Sequence, residues 1–224
     1  GPIDILKTCT SDVGPYPVQD WDKKGLTVED TTLMFCPGKV PEIWPNAMAP
    51  VRSIRLFRAW HSDWWKNPKV VSKEQAWQDL KTFLINQGGK VLLGTQVTCA
   101  SEDDVDFGYV KDFAKLLGPE HILGLGVGNE IDLLYQKIKD DRSVNDKCIK
   151  DIWDGGAYWA KFQDRVEQFG ELGPGFADIP VTAVFSAAAL GGWPFQEESG
   201  KALVNSFLKN ATRTYGKKFV FSFN

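Results

Sequence analysis

Asn129-Glu130 stands directly behind a run of apolar and glycine residues, Ile122–Val127 followed by Gly128. A glutamate there can pass a proton in both directions, as general acid and then general base. The role calls for a partly desolvated carboxyl, because loss of water favours the protonated form. A glutamate that caps a loop is the plain alternative. Trp60, Trp64 and Trp65 crowd one short stretch with His61 and Asp63. Indole rings stack on the apolar faces of sugars, although packing beneath a loop would account equally well for any single one of them. The chain has two His, so a zinc site or a Ser-His-Asp triad has little support. His121 precedes the apolar run and reads as structural. Asp132 reads as a solvated loop carboxylate, with tuning of Glu130 as the alternative.

These residues need elements to position them. Val51–Arg58 alternates and predicts a strand. Ser72-Lys73-Glu74-Gln75 has the form of a capping box and opens a helix with Ala76, Leu80, Phe83 and Leu84 on one face, ended by Gly88-Gly89. Lys90–Val97 is a buried strand. Ser101 to Asp104 starts a second helix, stopped by Gly118-Pro119. Ile122–Val127 is the next strand, and a charged excursion runs from Asp132 to about Asp151. A helix over Ala157–Phe169, a strand over Pro180–Phe185, a helix near Lys201–Tyr215 and a strand over Lys218–Phe223 complete the series. Residues 1–50 are rich in proline and read as irregular, with a short strand at Ile3–Leu6.

Alternating apolar strands and helices predict an α/β fold with a parallel sheet covered by helices. A (β/α)8 barrel is favoured over a doubly wound sheet, because no phosphate loop follows the first strand. Gly124, Gly126 and Gly128 form GxGxG without a helix opening directly after them, a poor dinucleotide fingerprint. No cofactor or metal is expected. One domain over residues 1–224 suits the length and the 43% hydrophobic content. A net charge of −3 argues against nucleic acid or an anionic membrane, and no apolar run is long enough to span a bilayer. A neutral substrate fits better. The four cysteines allow three pairings; the sequential one, Cys9–Cys36 with Cys99–Cys148, is favoured, and four reduced thiols are the alternative. With the sequon Asn210-Ala211-Thr212 they point to a secreted, extracellular or cell-wall protein.

The segment Leu117–Leu133, LGPEHILGLGVGNEIDL, resembles the approach to the acid/base in glycoside hydrolase family 17, the β-1,3-glucanases. There a hydrophobic strand ends in Val-Gly-Asn-Glu before an aliphatic residue. Val51–Phe57 is similar to that family's second strand, Lys90–Gly94 to its third and Val181–Ser186 to its fifth. Trp193-Pro194 through Gly200 resembles its Pro-Pro-Ser-x-Gly segment, and Phe219–Asn224 the start of its sixth strand. The resemblance covers residues 51–224, and only Val-Gly-Asn-Glu is specific. It implies a barrel present here to about six of eight strands. It also implies a retaining hydrolase or transglycosylase of β-1,3-glucan. Glu130 would be the acid/base, Asn129 the ligand of the sugar 2-hydroxyl and Arg55 the support of the nucleophile. Trp60, Trp64 and Trp65 would line glycan subsites.

The nucleophile of such an enzyme belongs to strand seven, in Glu-x-Gly-Trp-Pro. Leu190-Gly191-Gly192-Trp193-Pro194 looks similar, but it lies one strand after Glu130 where three are needed. The nucleophile is therefore not found in this chain, and an incomplete record of a longer protein is expected. The expected partners are a polysaccharide or oligosaccharide and a second chain or copy that completes the barrel. The alternative is a non-catalytic glycan-binding or structural protein on a degenerate glycosidase scaffold. An unrelated α/β-barrel enzyme with a glutamate base is a third, weaker reading.

Overall fold

A computed structural model describes residues 19–36, 38–45, 47–60, 71–133, 145–154, 156–187 and 207–224. Among these residues six strands form one sheet: β1 (Leu26–Val28), β2 (Ser53–Leu56), β3 (Lys90–Thr95), β4 (Ile122–Asn129), β5 (Val181–Phe185) and β6 (Phe219–Phe223). Each pairs in parallel with its neighbour in sequence, so the order is β1-β2-β3-β4-β5-β6. The order never reverses, unlike that of a doubly wound sheet, which turns back at a switch point. Right-handed crossovers wound always in one direction place their helices on one face.

The connecting helices are α1 (Asp30–Phe35), α2 (Lys73–Gln87), α3 (Glu102–Leu117), α4 (Asp146–Asp154), α5 (Ala157–Gly170) and α6 (Lys209–Tyr215). α2 starts where Ser72 accepts a hydrogen bond from the Gln75 amide at 3.1 Å. The Gln75 side chain turns to Asp79 instead of back to Ser72, so only half of the capping box forms. Gly88 ends the helix at φ 60°, a left-handed cap that glycine adopts without steric cost. At α3, Ser101 makes no side-chain cap bond. Asp103 reaches back to the amide and hydroxyl of Thr98, both at 2.7 Å.

Strand periodicity separates two faces. Ile54, Leu56, Val91, Leu93, Leu125 and Val127 are buried, and belong to one core with α2, α3 and α5. Arg55, Leu92, Gly94, Gly124, Gly126, Thr182 and Ser222 occupy the other face, as the strand register requires. A Cβ on Gly94 would lie 2.6 Å from the Phe57 carbonyl, so a bare backbone is needed there. This second face is concave. In a flat sheet β2 and β6 would be four inter-strand steps apart, roughly 19 Å at about 4.8 Å each. Yet Arg55 Nη1 lies 2.5 Å from the side-chain oxygen of Asn224, which follows β6. An arginine and an asparagine cannot bridge the flat separation, so the sheet curls toward the face that carries them.

Two segments depart from the sequence expectations. The proline-rich start holds β1 and α1, paired as Leu26↔Ile54 and Val28↔Leu56. The suggested strand at Ile3–Leu6 lies outside the described residues. The charged excursion contains the start of α4, which the Cys99–Cys148 disulfide ties to the segment after β3 across 49 residues. Cys36 is disulfide-bonded as well, and Cys9 lies outside the described residues. At the edge, β6 leaves Val220, Phe221 and Phe223 at 47%, 40% and 51% exposure.

Replacing Cys99 and Cys148 together by Ser removes a constraint on a long loop. It should lower the unfolding free energy in urea by about 3 kcal/mol. A loss below about 0.5 kcal/mol would show that the excursion is held by its other contacts.

Candidate active site

The C-terminal end of β4 departs from regular pairing. Gly126 pairs with Thr182, and the next paired residue, Asn129, meets Val184. Three residues of β4 thus oppose two of β5, which is a bulge. Gly128 sits at φ 79°, where a Cβ would come within 3.0 Å of Ile131. Glu130 follows at φ 49°, a left-handed conformation that costs a side-chain-bearing residue roughly 1–2 kcal/mol. It is held there by its own amide, which donates to the Val184 carbonyl at 2.7 Å. Its carbonyl starts a helical turn by accepting from the Leu133 amide at 2.9 Å.

This turn brings Glu130 and Asn129 to the side chains of Arg55 and Asn224. Arg55 Nη2 donates to Asn129 Oδ1 at 2.6 Å, and Nη1 to Asn224 Oδ1 at 2.5 Å. Asn224 Nδ2 donates to Asn129 Oδ1 at 3.1 Å and to Glu130 Oε1 at 2.9 Å. Asn129 Oδ1 therefore accepts from two donors, which orients its amide. Among the described residues its Nδ2 has no protein acceptor, so it remains available to a ligand. The Arg55 guanidinium stacks on Phe57, 4.3 Å from the ring centre. Burial lowers the Arg55 pKa from its ordinary value, and the opposing charge of Glu130 offsets part of that. No carboxylate of the described residues forms an ion pair with Arg55.

Of the residues singled out in the sequence, Glu130, Asn129 and Arg55 come together. Trp60 is half-buried and packs on the core, while Trp64, Trp65, His61 and Asp63 lie outside the described residues. So does Leu190-Gly191-Gly192-Trp193-Pro194. His121 stands in the turn before β4, at the end opposite Glu130. The reading of Asp132 as a solvated carboxylate is wrong: it is 1% exposed and accepts from both the amide and the hydroxyl of Ser186. Thr212 of the sequon is in α6, where its hydroxyl bonds the Leu208 carbonyl. From the sequence Asn224 reads only as part of a strand-six segment. Its signal was present, an Asn behind an apolar strand as at Asn129.

At the end of β3 a second polar group braces the same rim. Asp106 of α3 accepts from the Thr95 hydroxyl and the Gln96 amide, each at 2.8 Å, and lies 3.4 Å from Arg58 Nε. Desolvation raises its pKa in spite of these partners. No group of three His, Cys, Asp or Glu able to hold a metal occurs among the described residues. No family model matches the chain, and no curated protein matches it significantly.

A carboxyl whose folded pKa is raised favours its protonated form in the fold. The stability that Asp106 contributes is thus present below the ordinary value of 3.8 and is lost as pH rises through the raised value. Asp106→Asn should flatten the fall in unfolding free energy above about pH 4, read from urea titrations at successive pH values. An unchanged slope would mean that other groups carry it. Arg55→Lys replaces a planar fork by a point charge and should cost about 1–2 kcal/mol in the same assay. A neutral result would show that the two asparagines do not depend on the guanidinium.

Proposed function

We propose that this chain carries the acid/base half of a retaining glycosidase or transglycosylase of β-1,3-glucan, on a (β/α)8 barrel similar to glycoside hydrolase family 17. The observation that carries the proposal is the convergence of Glu130, Asn129 and Arg55 at the C-terminal end of a curled parallel sheet. That end is where barrel enzymes place their working residues. The sequential order and the curl support the barrel over an open sheet.

In the first step protonated Glu130 gives its proton to the glycosidic oxygen as the C–O bond breaks. A second carboxylate attacks the anomeric carbon from the other face, forming a glycosyl ester. In the second step Glu130, now a carboxylate, takes the proton of a water or sugar hydroxyl that displaces the ester. Asn129 Nδ2 donates to the 2-hydroxyl, a bond that strengthens in the transition state. Arg55 supports the second carboxylate, which lies about 5–5.5 Å from the acid in retaining enzymes. We assign that carboxylate to a strand added at the exposed edge of β6 by a second chain or a second copy. Trp60, four residues behind β2, is assigned to a glycan subsite. The disulfide supports a secreted, extracellular or cell-wall location. The chemistry calls for no metal or cofactor.

A second reading is a non-catalytic glycan-binding protein on the same scaffold. It is favoured by the lack of any acid paired with Arg55 among the described residues.

The test is cleavage of laminarin-type β-1,3-glucan by the purified protein, its polypeptides identified by intact mass. Glu130→Gln should lower turnover by about 10²–10⁴-fold and leave glucan binding intact. Binding without cleavage by the wild type supports the second reading. Loss of neither activity nor binding on substitution would remove Glu130 from the mechanism.

A further inference from the structure

Asp132 is the least exposed acidic side chain among the described residues, and neither proposed catalytic step uses it. Its Oδ1 accepts the Ser186 amide at 3.0 Å, and its Oδ2 accepts the Ser186 hydroxyl. Ser186 directly follows β5 and is itself 7% exposed. The regular β4–β5 ladder ends at Asn129↔Val184 and the Glu130 amide bond to Val184. Asp132 therefore supplies with its side chain the rungs that the bulged backbone of β4 no longer makes.

The consequence falls on Glu130. Its left-handed backbone is flanked on one side by Gly128, packed under Ile131 and Tyr158, and on the other by Asp132. Tyr158 is itself fixed by its hydroxyl, which donates to the Val127 carbonyl at 2.5 Å. Backbone strain of roughly 1–2 kcal/mol persists only where neighbours over-determine the conformation. With the Asp132 tie removed, the hydrogen bond that still joins this turn to β5 among the described residues is that of the Glu130 amide, beside the apolar packing of Ile131.

We infer that Asp132 is a positioning residue, which through Ser186 holds the Glu130 carboxylate against Asn224 and beside Asn129. The inference rests on the acid/base assignment of Glu130 for its effect on turnover. Its effect on geometry does not depend on that assignment.

The test compares Asp132→Ala, Asp132→Asn and Ser186→Ala with the wild type. The readouts are thermal unfolding, the side-chain amide and carboxyl NMR signals of Asn129, Asn224 and Glu130, and turnover of laminarin-type glucan. Asp132→Ala should shift all three sets of side-chain signals and lower kcat about 100-fold, with KM within about twofold. Asp132→Asn keeps an acceptor for the Ser186 amide and a donor for its hydroxyl. It should restore the signals and bring kcat to within about tenfold of wild type, and it guards against an alanine variant that fails to fold. Ser186→Ala keeps the amide bond and should fall between them. Unmoved Glu130, Asn129 and Asn224 signals in a folded Asp132→Ala protein would overturn the inference. So would loss of signal position in Asp132→Asn equal to that in Asp132→Ala. If the wild type does not cleave glucan but the signals move as described, the positioning role stands and the glycosidase reading fails.

Discussion

Asn129 Oδ1 is the point at which three strands of the sheet are joined by side chains. It accepts from Arg55 of β2 and from Asn224 behind β6, while its own backbone closes β4. β3 and β5 lie between these strands, so the contacts exist only because the sheet curls. The curl follows from what the concave face carries. Gly94, Gly124 and Gly126 leave room where larger side chains would hold the strands apart, and a Cβ at Gly124 would meet Leu92 at 3.2 Å. Without the curl there would be a Glu at a strand end and an Arg on a distant strand, and no site.

The same geometry explains why the polar groups at this rim occur in sets. Arg55, half-buried and desolvated, is satisfied by two amide oxygens and an aromatic face instead of a carboxylate. Asp106 Oδ2 accepts from a backbone amide and a hydroxyl, while its buried Oδ1 makes no hydrogen bond and has only the Arg58 guanidinium nearby, at 3.4 Å. Asp132 is satisfied by both donors of Ser186. Each desolvated group needs such partners, because an unpaired one costs far more than a hydrogen bond returns. Glu130 differs: one oxygen is held by Asn224 and it stays half-buried, as the proposed proton exchange with a ligand requires.

Much of this was legible in the sequence. The apolar runs gave β2 to β6 in order, and the strand-end position of Asn129-Glu130 needed only the period and the glycines. β1 was not legible, because three residues carry no periodicity and are a strand only through pairing with β2. Asp132 reads as solvated because a charged residue after a strand usually is. Its burial depends on Ser186, 54 residues on, and no local pattern shows that. Asn224 is hidden for a related reason: its role depends on curvature, which spacing along the chain does not express. In the sequence only its sequential order favours the Cys99–Cys148 pair among three pairings, and the fold supplies the cause, since both follow the C-terminal ends of adjacent strands.

The central claim is that Glu130 exchanges protons with the leaving and entering oxygens, and chemical rescue measures this directly. An aryl β-glucoside with a leaving group that needs no proton is given to Glu130→Ala with sodium azide, and the product is identified by NMR. The account predicts turnover that rises with azide and a β-glycosyl azide as product, because azide attacks the intermediate where the missing base would have activated water. An α-glycosyl azide would make Glu130 the nucleophile, and no response to azide in a protein that cleaves glucan as wild type would place the acid/base elsewhere.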